Sequence, residues 1–302
     1  LSLIRPIYRR NFARPFRECM KLIFLILTVC LYFSPLLDGR VLILNDQIDA
    51  NRNLSPSSED LALDQLTMGW MYDHWGRSPK NAAESIKWHM QAAHLGQAIS
   101  QYTIGCLYSR GDGVPQDYAE SFKWWSLAAE QGLARAQYNL GASYWSGLGV
   151  EVDPNHAVYW WLKAAEQQHF MAQYYVGLAY FNGQGVPLDY AAAFKWWSLS
   201  AEKGFSGAQY NLGISYSSGA GVEVDYSEAV HWWLKAAEQQ QADAQYCLGL
   251  AYCYGDGVER DYFEGYKWLF EASRQDHANA MSKIGCLYLH GQGVERDHEQ
   301  AM

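Results

Sequence analysis

Apolar residues recur at helical spacing along most of this chain, and the pattern itself returns every 36 residues. In Ala134–Gly147, the residues Gln137, Leu140, Gly141 and Tyr144 fall at i, i+3, i+4 and i+7, one face of an α-helix. Gly147 follows where a helix wants a left-handed terminator, a conformation that glycine adopts without a Cβ clash. After a short loop comes Asp153, with equivalents at Asp117, Asp189, Asp225, Asp261 and Asp297. Aspartate is a strong N-cap, so a second helix is expected to begin there. Glu120, Glu228, Glu264 and Gln300 stand three residues further on and predict a closed capping box. That second helix carries a wide apolar stripe, for example Tyr118, Ser121, Phe122, Trp124, Trp125, Ala128 and Ala129, and ends at Gly132.

The step is kept by glycine pairs from Gly111/Gly113 to Gly291/Gly293, by tryptophan from Trp88 to Trp268 and by tyrosine from Tyr72 to Tyr288. Small residues recur at Ser85, Ser121, Ala157, Ala193, Ala229 and Gly265, which predicts that a tryptophan of one helix fills the gap over alanine or glycine on the next. One such hairpin cannot bury its apolar face alone, whereas stacked neighbours can. The expected fold is therefore all-α: a right-handed α-solenoid of tandem 36-residue helix–turn–helix repeats over residues 61–302. It has seven first helices, beginning near Asp64, Ala98, Ala134, Phe170, Ser206, Ala242 and Ala278, and six complete second helices. The sequence stops just after Asp297, which reads as a truncated last repeat; the other reading is an open end that docks another protein. A longer period is superposed. Asp153–Gln168 matches Asp225–Gln240 at 12 of 16 positions but matches Asp117–Gly132 at only 7, so a block of 72 residues has been copied.

Ala136-Gln137-Tyr138-Asn139-Leu140-Gly141 with Ala164-Ala165-Glu166-Gln167, and the same run at 208–213 and 236–239, resembles the Sel-one-like repeat, a branch of the tetratricopeptide-like superhelices. On the first helices Tyr138, Ala142 and Trp145 lie beside the core stripe, with Tyr174/Phe181, Tyr210/Ser217 and Tyr246/Cys253 as equivalents. The resemblance implies that this row lines a concave groove, so Tyr138, Trp145, Tyr174, Phe181, Tyr210 and Tyr246 are the candidate partner-binding residues, with ordinary packing between repeats as the other account. It also implies an adaptor or scaffold that binds a protein partner and performs no chemistry, in bacterial envelope complexes or host interaction. Some cysteine-rich members of the family are linked to β-lactam binding and hydrolysis, but they carry regular cysteine pairs that this chain lacks.

Charge narrows the partners. Residues 1–39 hold six basic and two acidic side chains, so the total of −9 leaves −13 on the rest, which disfavours nucleic acid. Within that basic start, Leu22–Phe33 is twelve apolar residues after Met20-Lys21, too short to span a bilayer comfortably but suited to a signal-peptide core. The expectation is a true start at Met20, a signal segment to about Gly39, a linker over 40–60 and a periplasmic or secreted product; an uncleaved membrane anchor is the alternative.

The remaining motifs carry no catalytic centre. Gly111–Asp117 lacks the Lys-Ser/Thr of a phosphate loop, and its relatives at Asp256 and Asp261 lack the alternating ligands of a calcium loop. His298-Glu299-Gln300-Ala301-Met302 starts like a zinc-protease motif and has no second histidine. Neither a metal nor a cofactor is expected. Cys106, Cys247, Cys253 and Cys286 are too far apart to pair and read as small apolar fillers. The paired tryptophans read as core; a glycan-binding module using exposed aromatics, with Trp145 as the residue to remove, is a third functional reading.

Overall fold

The computed structural model describes residues 65–66 and 79–301, so the signal segment to Gly39, the linker over 40–60 and most of the first predicted helix near Asp64 lie outside the described residues. The chain divides into two units, Leu1–Gln97 and Ala98–Met302. In the first, residues 65–66 are helical and α1 spans Pro79–His94. Its Ser85, His89, Ala92 and Ala93 are buried.

The second unit is a solenoid of eleven helices: α2 (Ala98–Arg110), α3 (Tyr118–Glu130), α4 (Ala134–Ser146), α5 (Pro154–Glu166), α6 (Phe170–Asn182), α7 (Tyr190–Glu202), α8 (Ser206–Ser218), α9 (Tyr226–Glu238), α10 (Ala242–Tyr254), α11 (Tyr262–Ser273) and α12 (Ala278–His290). Within this unit consecutive helices pack against one another. All regular elements among the described residues are helices, and none of these is long and apolar enough to cross a membrane.

The predicted starts and stops hold. Asp153 Oδ1 accepts from the amides of Asn155 (2.9 Å) and His156 (3.1 Å), and Gly147 ends α4 at φ 75°. The capping boxes do not close. The Asp117 amide that Glu120 was expected to meet donates instead to the Tyr108 carbonyl at 2.9 Å, and Asp153 to Tyr144 and Asp261 to Tyr252 do the same. The backbone of the preceding helix thus supplies the acceptor, and Glu120 and Glu264 turn outward to Lys123 and Lys267. The second glycine of the pairs from Gly147/Gly149 to Gly291/Gly293 has another task. A Cβ on Gly149 would lie 2.1 Å from the Tyr118 carbonyl oxygen of the preceding repeat, so only glycine permits that approach.

Within a repeat the gap that receives tryptophan lies on the first helix, not on a following one. A Cβ on Gly141 would sit 2.5 Å from Trp161 Cδ1 and 2.9 Å from the Ala157 carbonyl. Trp161 Nε1 donates to the Tyr138 carbonyl at 3.1 Å, so the indole is both packed and satisfied. Trp161, Trp197 and Trp233 are buried, while their preceding partners Trp160, Trp196 and Trp232 are half-buried. Small alanine-rich clusters therefore succeed one another, one of them built from Ala157, Val158, Trp161, Ala164, Ala165, Ala172, Val176 and Ala179.

A buried amide ladder crosses these clusters. Gln137 donates to the Ala129 carbonyl and accepts from Gln167 at 2.8 Å; Gln245 likewise bonds Ala237 and Gln275. Cys106, Cys247, Cys253 and Cys286 are free thiols. Cys253 is buried and Cys247 half-buried, as fillers should be, and burial pushes the Cys247 thiol up to about 12. Cys286 is exposed, a correction: at its position on α12 the side chain has no apolar gap to fill.

Candidate functional site

The six candidate residues occupy the first helices of successive repeats. Tyr138 and Trp145 lie on α4, Tyr174 and Phe181 on α6, Tyr210 on α8 and Tyr246 on α10, and all six are half-buried. Each is tied into its surroundings. Tyr138 stacks on His169 with ring centroids 4.9 Å apart and Tyr246 stacks on His277 at 4.7 Å. Tyr174 meets Phe205 edge-on at 4.9 Å. Trp145 lies over the buried Trp161 at 5.4 Å, and Phe181 over Trp197 at 5.2 Å with the same tilt. Burial, reinforced by Tyr175, pushes the Tyr138 phenol up to about 12; burial first, then Cys247 and Asp243, does the same to Tyr210. Tyr174 and Tyr246 are raised for the same leading reason.

Tyrosine stands unchanged at 102, 138, 174, 210 and 246. One residue further on, the side chains differ from repeat to repeat: Thr103, Asn139, Tyr175, Asn211 and Cys247. The same holds for Cys106, Ala142, Leu178, Ile214 and Leu250, and for Arg110, Ser146, Asn182, Ser218 and Tyr254. These positions make a stripe along the first helices, its helix-end members from Arg110 to Tyr254 exposed and the others half-buried. Variation at a fixed point of the repeat is the signal that marks these positions beside the candidate row.

That stripe is almost free of charge. The helices α4, α6 and α8 together contain one charged side chain, Arg135. Each of the intervening second helices α3, α5, α7 and α9 carries both lysine and glutamate. A surface of tyrosine, asparagine, leucine and isoleucine with charge removed is the composition of an interface centre.

A second feature lies at the start of α5. Tyr144, Asn155, His156, Tyr159 and Trp160 line an open cleft of about 500 Å³. His156 stacks on Tyr144 (5.1 Å, 23°) while its Nδ1 meets Asp153 Oδ2 at 2.6 Å. That bond holds the Asp153 carboxyl below the usual carboxylate range. Among the described residues, no group of three or more histidine, cysteine or acidic side chains is placed to hold a metal ion.

The architecture is that of an α-solenoid of two-helix repeats whose first helices present a continuous, weakly charged face. The chain belongs to the Sel1 repeat family: the family's profile matches residues 66–97, 98–133, 134–169, 170–205, 206–240, 242–277 and 278–302. It is similar to a crystal structure of a Sel1 repeat protein from Oxalobacter formigenes, 31% identical with a TM-score of 0.69, over 80% of this chain and 94% of that one. It is also similar to a protective antigen present in uropathogenic Escherichia coli strains and displaying an SLR fold. There the identity is 32% and the TM-score 0.74, over 87% of this chain and 55% of that one, so this chain spans about half the length of that relative. No curated protein matches the chain. Sel1 repeat proteins generally act as protein–protein interaction scaffolds, and the family is typically non-enzymatic.

Proposed function

We propose that this chain is an exported adaptor that binds a protein partner along the concave, first-helix face of the solenoid, in the cell envelope or at a host surface. The observation that carries the reading is the loss of charge from α4, α6 and α8 in a chain whose net charge is −9. Keeping three adjacent helices free of carboxylates in such a chain makes their face cheap to desolvate against another polypeptide. The half-buried tyrosines Tyr138, Tyr174, Tyr210 and Tyr246 stiffen the floor of that face, and Asn139, Tyr175 and Asn211 offer hydrogen bonds on it. Export rests on the apolar run after Met20 and on the likeness to a protective antigen, which antibodies must reach.

A photo-crosslinking amino acid placed singly at Ser146, Asn182 and Ser218 tests the surface against Glu166, Glu202 and Glu238 on the second helices. Partner adducts are expected from the first set and not from the second; the reverse pattern would overturn the reading. Recovery of the mature chain from the periplasm or medium with its N-terminus near residue 40 tests export. A chain retained in the cytoplasm with residues 20–39 intact speaks against it. Turnover of a chromogenic β-lactam by the purified chain would favour the enzymatic alternative.

A further inference from the structure

The copied block exposes where two otherwise matching repeats differ. Asp153–Gln168 and Asp225–Gln240 differ at four positions: Pro154/Tyr226, Asn155/Ser227, His156/Glu228 and Tyr159/His231. Three of the four, Asn155, His156 and Tyr159, line the 500 Å³ cleft, and the fourth is the residue next to them. Exposed positions elsewhere on the two helices, such as Lys163/Lys235 and Glu166/Glu238, are identical, so exposure by itself does not explain the pattern. The other two walls are kept as well: Tyr144 corresponds to Tyr216, and Trp160 to Trp232. Tyr159 meets Trp160 at 5.2 Å and 77°, as His231 meets Trp232 at 5.4 Å and 79°. The scaffold of the cleft is common to both repeats, and only its chemistry differs.

That chemistry points one way. Relative to its twin, this wall has a carboxamide and a phenol in place of a carboxylate and a hydroxyl, and its imidazole stands at 156 and not at the position of Tyr159. With His156 Nδ1 held by Asp153, its Nε2 is the ring's remaining polar atom. Imidazole, carboxamide and phenol each offer both donor and acceptor capacity, which matches hydroxyl groups and not a fixed charge. A cation is disfavoured by repulsion from Lys163, whose Nζ lies 4.7 Å from the Tyr159 ring centroid and 5.1 Å from that of Trp160. An anion is disfavoured by the Asp153 carboxylate at the rim. Two aromatic surfaces at right angles suit a ring with an apolar face and a polar edge.

We propose that the cleft formed by Tyr144, Asn155, His156, Tyr159 and Trp160 is a binding site for a neutral pyranose sugar, separate from the protein-binding face and independent of it. The sugar's C–H face lies on the aromatic walls, and its hydroxyls exchange hydrogen bonds with Asn155 and with His156 Nε2.

The test uses the full chain and the methyl α- and β-pyranosides of glucose, galactose, mannose and N-acetylglucosamine, read by saturation-transfer NMR and calorimetry. At least one is expected to bind with a Kd on the order of 1 mM, as suits a small ligand in an open site. Replacing the cleft by its twin's chemistry, N155S/H156E/Y159H, keeps a sequence already folded on this backbone and is expected to weaken binding at least tenfold. The reciprocal S227N/E228H/H231Y is expected to add a second equivalent site, raising the stoichiometry from one to two. Binding unaffected by the first exchange, no binding by any of the eight glycosides, or saturation by a polyproline peptide in their place would each overturn the assignment.

Discussion

Lys203 leaves the buried carboxamide oxygen of Gln173 without a donor. In four other repeats the side-chain amide thirty residues on fills that role: Gln131 to Gln101, Gln167 to Gln137, Gln239 to Gln209 and Gln275 to Gln245, at 2.7–2.8 Å. At 203 the amide is replaced by lysine, whose ammonium turns to Gln168 at 3.2 Å, and Gln173 Oε1 has no partner although the residue is 2% exposed. An unsatisfied buried acceptor costs about 1–3 kcal/mol. K203Q is expected to close the ladder and stabilise the chain by about 1 kcal/mol, seen as a higher denaturation midpoint with an unchanged m-value. A lower midpoint would mean that the oxygen is satisfied in solution.

Gln168 and Gln240 take φ 64° at the turn where Gly132 and Gly204 take φ 90° and 89°. A side chain in the left-handed region costs roughly 1–2 kcal/mol, less the extra unfolded-state freedom of glycine. Q240G is expected to stabilise by about 0.5–1 kcal/mol, measured by urea unfolding. Q168G is expected to gain less, because Gln168 accepts from Lys203.

The glycine inside each first helix carries the opposite prediction. A Cβ on Gly177 would meet Trp197 Cδ1 and Nε1 at 2.4 Å. Displacing the indole also threatens its 3.2 Å bond to the Tyr174 carbonyl. G177A is expected to destabilise by about 3 kcal/mol despite alanine's better helix propensity, with a change in tryptophan fluorescence in the folded state.

These contrasts show what the sequence makes legible. Aspartate N-caps, left-handed glycines and the large-against-small step act locally and keep one spacing, so helix boundaries from Ala98 to His290 follow from them. The acceptor for the Asp117 amide is a backbone carbonyl, Tyr108 O, which no side chain announces; hence the mistaken capping box at Glu120. The tyrosine row and the variable positions next to it are equally half-buried, because 100° per residue separates neighbouring faces too finely for one helix to assign them. Gln173 and Lys203 were visible as letters, but their thirty-residue spacing crosses two helices and matches no local period. The cleft beside α5 shows only when the divergence between copied blocks is laid on coordinates.

Alkaline pH should loosen the tyrosine row. Tyr102, Tyr138 and Tyr210 are all pushed up to about 12, mainly by burial, from an ordinary value near 10. A phenol whose folded pKa is raised contributes stability that is fully present below pH 10 and is lost as pH rises through about 12. Stability is therefore expected to fall between pH 10 and 12, with phenolate absorbance lagging behind that of free tyrosine. The double variant Y138F/Y210F is expected to flatten that fall. An unchanged pH profile would show that these phenols are not buried in solution.

The proposed partner-binding face makes a demand on charge that shape alone does not. Asn139 lies against the Tyr102 hydroxyl and Asn211 against that of Tyr174, both on the uncharged stripe. N139D/N211D keeps size and geometry, and each carboxylate accepts from the phenol that its amide formerly met. Fold stability is expected to stay within about 1 kcal/mol, since both positions are half-buried and open to water on one side. Partner affinity is expected to drop at least tenfold, because two new carboxylates must be desolvated at the centre of the contact. Equal loss from a pair of aspartates placed instead at Lys163 and Lys235, on the second helices, would move the contact to the other face.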